Sequence, residues 1–145
     1  MENRLSGAAM ECHIMTFVGM ICAGFGFRSE VSEACLEDVF SQICGLHSVT
    51  GEIKACATVT SKATSAAFQR FAQHQNLTIL PLSLQQIARQ KPVSYSALSY
   101  KLYGTGSVAE ASALAGAGDG ATLLGPRLIS HSGQATCAIA KGATK

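Results

Sequence analysis

A chain of 145 residues, 48% of them hydrophobic and with a net charge of only +2, fits one domain with a sizeable core and excludes the polar, highly charged composition of a disordered segment. No run reaches the length of a membrane span, and the basic residues are neither clustered nor interleaved with aromatics, which argues against membrane and nucleic-acid partners. The six cysteines form no C-x-x-C pair and no regular spacing with histidine, so neither a zinc site nor a redox dithiol is expected. Cys22, Cys35, Cys44 and Cys56 lie in core-like runs, where a reduced thiol acts as a small hydrophobe, and a reducing cytoplasm is the expected compartment.

Residues 1–13 carry no periodicity and read as a loose tail, within which Met10 offers an alternative start; residues 14–145 read as one domain. The apolar run from Ile14 to Phe25 resembles a signal segment only in hydropathy. Glu2, Arg4 and Glu11 precede it and a Gly-x-Gly turn follows, so it reads as a buried strand over Thr16–Ala23. Gly24-Phe-Gly-Phe-Arg28 then forms a turn. A helix opens with Ser29 as N-cap and Glu30 and Glu33 in its first turns, buries Val31, Cys35, Leu36, Val39, Phe40 and Ile43, and stops at Gly45. The second strand spans Lys54–Thr60 and gives way at Ser61-Lys62 to a helix that Asn76 ends. Leu77–Leu82 is a third strand, and Ser83 starts a short helix through Ala88. A further helix is expected from Ser96 to Leu102. Ser107 and Glu110 form an S-x-x-E capping box for a helix through Ala115. Gly116–Gly120 is a turn, and strands Thr122–Leu124 and Ala135–Ala140 close the chain as an antiparallel pair at one edge. The strand-helix alternation predicts a three-layer α/β/α fold with a mostly parallel, mixed sheet.

Ligands on such sheets bind beyond the carboxyl ends of the strands, which places Gly24–Arg28, Ser61-Lys62 and the loop before Ser107 on one rim. Gly24 and Gly26 offer backbone amides and Arg28 a guanidinium, a grip for carboxylate or phosphate, although a plain structural turn explains the motif equally well. The third glycine of the dinucleotide fingerprint is absent. Lys62 neutralises an acidic ligand or, if buried, acts as a base; Gly106 and Ser107 add an amide and a hydroxyl, and Arg127 a further cation. Between Ile53 and Ala109 every formal charge is basic, which favours an anionic ligand. Lys62, Glu110 and His131 are the acid-base candidates. Capping alone accounts for Glu110, and His131 cannot pair with the adjacent Ser132 because neighbours in an extended stretch point apart. No metal-ligand cluster or P-loop appears, and neither metal nor cofactor is expected.

Four segments in register, G-F-G-F-R (24–28), A-T-V-T-S-K (57–62), G-T-G-S-V-A-E-A-S-A-L (104–114) and A-T-C-A-I-A (135–140), resemble the CobE and CbiG C-terminal domain family of cobalamin biosynthesis, with the likeness running from about Phe17 to Gly142. The length resembles that of the stand-alone CobE members rather than the larger CbiG. The resemblance implies a ligand with the acetate and propionate side chains of a precorrin or corrin, and places Gly24, Gly26, Arg28, Lys62, Ser107 and Glu110 on the family pattern. Where relatives carry an acid after the lysine, this chain has Thr64, Ser65 and Ala66, which favours binding or handover over proton transfer. Three roles follow from the resemblance. The first is a binder of the intermediate through a basic, glycine-rich cleft, and the second an enzyme of ring contraction or of CbiG-like lactone opening and fragment release. The third is a scaffold that docks a pathway methyltransferase through the acidic helix.

Overall fold

The computed structural model describes residues 20–143, so the tail expected over 1–13, Cys12 and the start of the first expected strand lie outside the described residues. The strands are β1 (Ile21–Phe27), β2 (Ala55–Val59), β3 (Thr78–Leu82), β4 (Thr122–Leu123), β5 (Leu128–Ile129) and β6 (Ala135–Lys141). Interleaved with them are α1 (Glu33–His47), α2 (Thr60–Ala63), α3 (Ala66–Gln75), α4 (Leu84–Ala88), α5 (Ala97–Tyr103) and α6 (Val108–Ala117). They build a mixed sheet in the order β3-β2-β1-β6-β4, with β5 also on β6. The β1–β2 and β2–β3 ladders are parallel, and every pairing of β6 is antiparallel.

The two-residue period of the strands sorts their side chains onto two unlike faces. Ala23, Phe25, Cys56, Cys137 and Ile139 meet α1 and α3 in one cluster, where Phe25 packs on Phe68 and Phe71 at centroid distances of 5.6 and 5.2 Å. The other face carries Cys22, Ala55, Ala57, Ala138 and Ala140 beneath α6 and Ile87 of α4. There the residues are small enough for helix backbone to approach strand backbone. A Cβ on Gly24 would stand 2.1 Å from the Ala109 carbonyl oxygen, and one on Gly116 2.6 Å from Cys22 Sγ. This is the expected three-layer fold with helices on both faces of a mixed sheet. Burial pushes the Cys22 thiol up to about 12, with Cys56 adding to it, and Cys56 itself to about 12; both behave as apolar core groups.

Several boundaries differ from the sequence reading, each for a local reason. Gly24–Phe27 is the second half of β1 rather than a turn, because α6 needs bare backbone beneath it. The N-cap of α1 is Ser32, which accepts from the Cys35 amide, while Ser29 and Glu30 sit in the preceding turn. Gly45 does not stop α1; it continues to His47 and ends at Ser48 in a left-handed conformation. Asn76 does end α3 in that conformation, and Ser83 caps α4 with a complete capping box. The expected antiparallel partners do pair, but β6 lies next to β1 inside the sheet, and the rim is left to β4 and β5. Gly125 and Pro126 interrupt that rim between the two short strands, a break that keeps the edge from templating further pairing.

Candidate functional site

At the carboxyl ends of β1 and β2 the chain has to leave the sheet, and the side chains just past those ends line a cleft of about 440 Å3. Arg28 follows β1 directly; its amide donates to the Gln134 carbonyl at 3.0 Å and its own carbonyl accepts from the Val31 amide, so the turn is fixed while the guanidinium lies exposed on the cleft wall. Lys62 sits in the single turn of α2, half-buried, with Nζ 3.4 Å from Ser29 Oγ and 5.7 Å from the centroid of the Phe27 ring. Arg127 joins from the break between β4 and β5, where its Nη1 donates to the Gly106 carbonyl at 3.5 Å. Among the described residues none of these cations has a carboxylate within ion-pair distance, and Glu30 is the one acid in the lining. Three cations and one acid thus line the cleft, together with hydroxyls from Ser29, Ser96 and Ser107.

Arg28, Lys62, Ser107, Arg127 and Gly26 are brought together as cleft lining, although they span 102 positions from Gly26 to Arg127 in sequence. The remaining sequence candidates stand elsewhere. Gly24 is covered by α6, Ser61 is exposed outside the lining, and Gly106 is buried against Tyr95 with its carbonyl accepting from the Ser96 amide at 2.7 Å.

Glu110 departs furthest from the sequence reading. The Ser107 hydroxyl accepts from the Glu110 amide, so half of the capping box forms, but the Glu110 carboxylate does not return to the cap. The Ser107 amide donates to Thr105 Oγ1 instead. Wholly buried, the carboxylate accepts from the Val93 and Ser94 amides at 2.8 Å each, from the Ser94 hydroxyl and from the Arg127 amide at 2.9 Å. Burial pushes this carboxyl up, but the bonds from Ser94, Arg127 and Val93 outweigh it and hold it below the usual carboxylate range. Glu110 ties three distant segments together and lies outside the cleft lining. His131 is exposed and faces Asp38 at 3.2 Å and Gln42 at 3.4 Å, also outside the lining.

The cleft also contains side chains that the sequence did not single out. Leu98, Ser99, Leu102 and Tyr103 of α5 form one wall, and Gln134, Ala135 and Thr136 at the start of β6 form another. A helix after Ser96 is legible locally, but nothing local says which surface it borders. One set of potential metal ligands gathers among the described residues, Glu33, Glu37 and His74 between α1 and α3. Glu33 there pairs with Arg70 at 3.5 Å and with His74, so ion pairing accounts for the group. No helix of the described residues is long and apolar enough to cross a membrane.

The family model described as cobalamin synthesis G C-terminus matches residues 21–140. The chain is similar to the crystal structure of CobE, a protein from the cobalamin biosynthetic pathway, at 27% identity and a TM-score of 0.77 over 88% of this chain and 93% of that one. It is similar to the cobalamin biosynthesis protein chiG from Agrobacterium tumefaciens at 25% identity and a TM-score of 0.61, over 87% and 99% of the two chains. A cobalamin biosynthesis protein G homolog from Sulfolobus solfataricus shares the fold at 18% identity and a TM-score of 0.61, over 85% of this chain and 37% of the longer one. No curated protein matches the sequence significantly.

Proposed function

Since this chain belongs to the cobalamin synthesis G C-terminus family and so to cobalamin biosynthesis, we propose that it binds an anionic precorrin or corrin intermediate in the cleft at the carboxyl ends of β1 and β2. One observation carries this reading: Arg28, Lys62 and Arg127 converge on the same cleft with no ion-pair partner among the described residues. Cations left unpaired on a concave surface attract a polyanion, and a macrocycle ringed by carboxylates meets several of them at once.

Binding is better supported than turnover. Of the acid-base candidates, Glu110 and His131 lie outside the lining, the first held by the Val93, Ser94 and Arg127 amides and the second facing Asp38, and Lys62 alone remains in it. A protein with this arrangement carries or protects an intermediate between the enzymes of a cytoplasmic pathway. Titration with cobyrinic acid, followed by the visible absorption of the ring, tests the reading. Arg28→Ala and Lys62→Ala should each weaken binding by roughly tenfold, as expected for one charge-assisted contact of about 1.5 kcal/mol. Unchanged affinity in both variants contradicts the assignment of the cleft, and a new product formed with repeated turnover contradicts the carrier role.

A further inference from the structure

Helix α5 contains no buried residue, yet its place is fixed. The Ser96 amide donates to the Gly106 carbonyl at 2.7 Å and so closes the base of the segment, the Ser99 hydroxyl donates to the Thr105 carbonyl at 2.9 Å, and Gly104 ends the helix at a φ of +73°. Just before it, Ser94 is held on Glu110. Hydrogen bonds therefore anchor a helix whose side chains have no core to fill. Leu98 and Leu102, four positions apart on one stripe, remain 60% and 56% exposed. An exposed leucine needs no explanation by itself. Two on one stripe, both lining a cleft that also carries three cations with no ion-pair partner among the described residues, mark a surface left bare for an occupant.

The lining has two chemistries, with cations on the turns after β1 and β2 and aliphatic side chains on α5. A small inorganic anion or a chain-like polycarboxylate uses the first and leaves the second in water. An amphiphile with a flat apolar body and carboxylates at its edge uses both. Resting on the cleft reading above, we infer that α5 is the apolar wall of the ligand site, with Leu98 and Leu102 covering a ring face while Arg28 and Lys62 take its peripheral carboxylates. The wall supplies discrimination between a macrocycle and other polyanions that the cations alone cannot give, because charge pairing does not sense the ring.

The test compares the wild type, Leu98→Ser/Leu102→Ser and Leu98→Met/Leu102→Met in titrations with cobyrinic acid at several salt concentrations. Salt reports the cation contacts, because exposed charge pairs are screened while apolar contacts are not. The serine variant should bind at least about tenfold more weakly with the same salt dependence, since burial of two leucine side chains against the ring is lost, and the methionine variant should stay within about threefold of the wild type. Unchanged affinity of the serine variant overturns the wall while leaving the cleft standing. Weaker binding with a flattened salt dependence also overturns it, by showing that the leucines only position the cations. A wild type that fails to bind cobyrinic acid overturns the cleft reading and the wall together.

Discussion

Two helices separated by Gly104–Ser107 have opposite relations to the rest of the molecule. In α6 eight of the ten residues are buried, including a carboxylate and Ser112; in α5 none of the seven is. Seven of the ten residues of the buried helix are alanine, serine or glycine, and their small side chains let it lie directly on strand backbone. The exposed one carries leucines and tyrosines that the core does not use. Within this pair of helices most of the buried residues are small, while the leucines of α5 stay exposed, the reverse of what side-chain size alone would place there. The comparison separates what holds the fold from what faces the cleft: α6 is the axis to which loops are tied, and α5 is a wall held in place by hydrogen bonds.

Breaking the buried side should produce the largest effect. Gly24→Ala drives a Cβ into α6 backbone that cannot yield as a side chain can, and should destabilise the protein by about 3 kcal/mol or more in chemical denaturation, well above an ordinary surface change. A loss below about 1 kcal/mol would mean that α6 can lift off the sheet at little cost.

Next comes Glu110. Replacing it with Gln puts an amide nitrogen against donors that now meet carboxylate oxygens, and should cost about 2 kcal/mol by the same measurement. The pH dependence follows from the sign of the shift. The folded-state pKa lies below the unfolded one, so the contribution of Glu110 is fully present above the unfolded value and is lost as pH falls through the folded value. Denaturation profiles of the wild type and Glu110→Gln should therefore converge on acidification, and parallel profiles would count against a low carboxyl pKa.

The smallest effect on stability belongs to the exposed side. Leu98→Ser/Leu102→Ser should lie within about 0.5 kcal/mol of the wild type, because neither leucine is in the core. A melting point lower by more than a few degrees would place these side chains in the fold rather than at the cleft.

What the sequence discloses is what is encoded locally. Asn76, Ser83 and Ser107 mark helix ends correctly because a cap bonds within its own first or last turn. The strand cores and the α/β order follow from apolar runs of the right length. The G-F-G-F segment reads as a turn because glycine usually punctuates; its actual role depends on α6, whose Ala109 lies 85 positions after Gly24. Glu110 reads as a cap for the same reason, since its partners Val93, Ser94 and Arg127 are 16 or 17 positions away and no local pattern predicts them. The cations of the cleft are legible because each follows a strand end or sits in a loop between strands. The α5 wall is not, because an amphipathic stripe does not say whether it meets a core or an open cleft.

The most direct test of the central claim is to map the backbone amide resonances while cobyrinic acid is added. The account predicts that shifts concentrate at Arg28 and Ser29, Lys62, Ser107 and the amides of α5, with Arg127 following. Shifts confined to the acidic face of α1 around Glu33–Asp38, or to the turn at Gly118–Gly120, would contradict it and move the ligand to another surface.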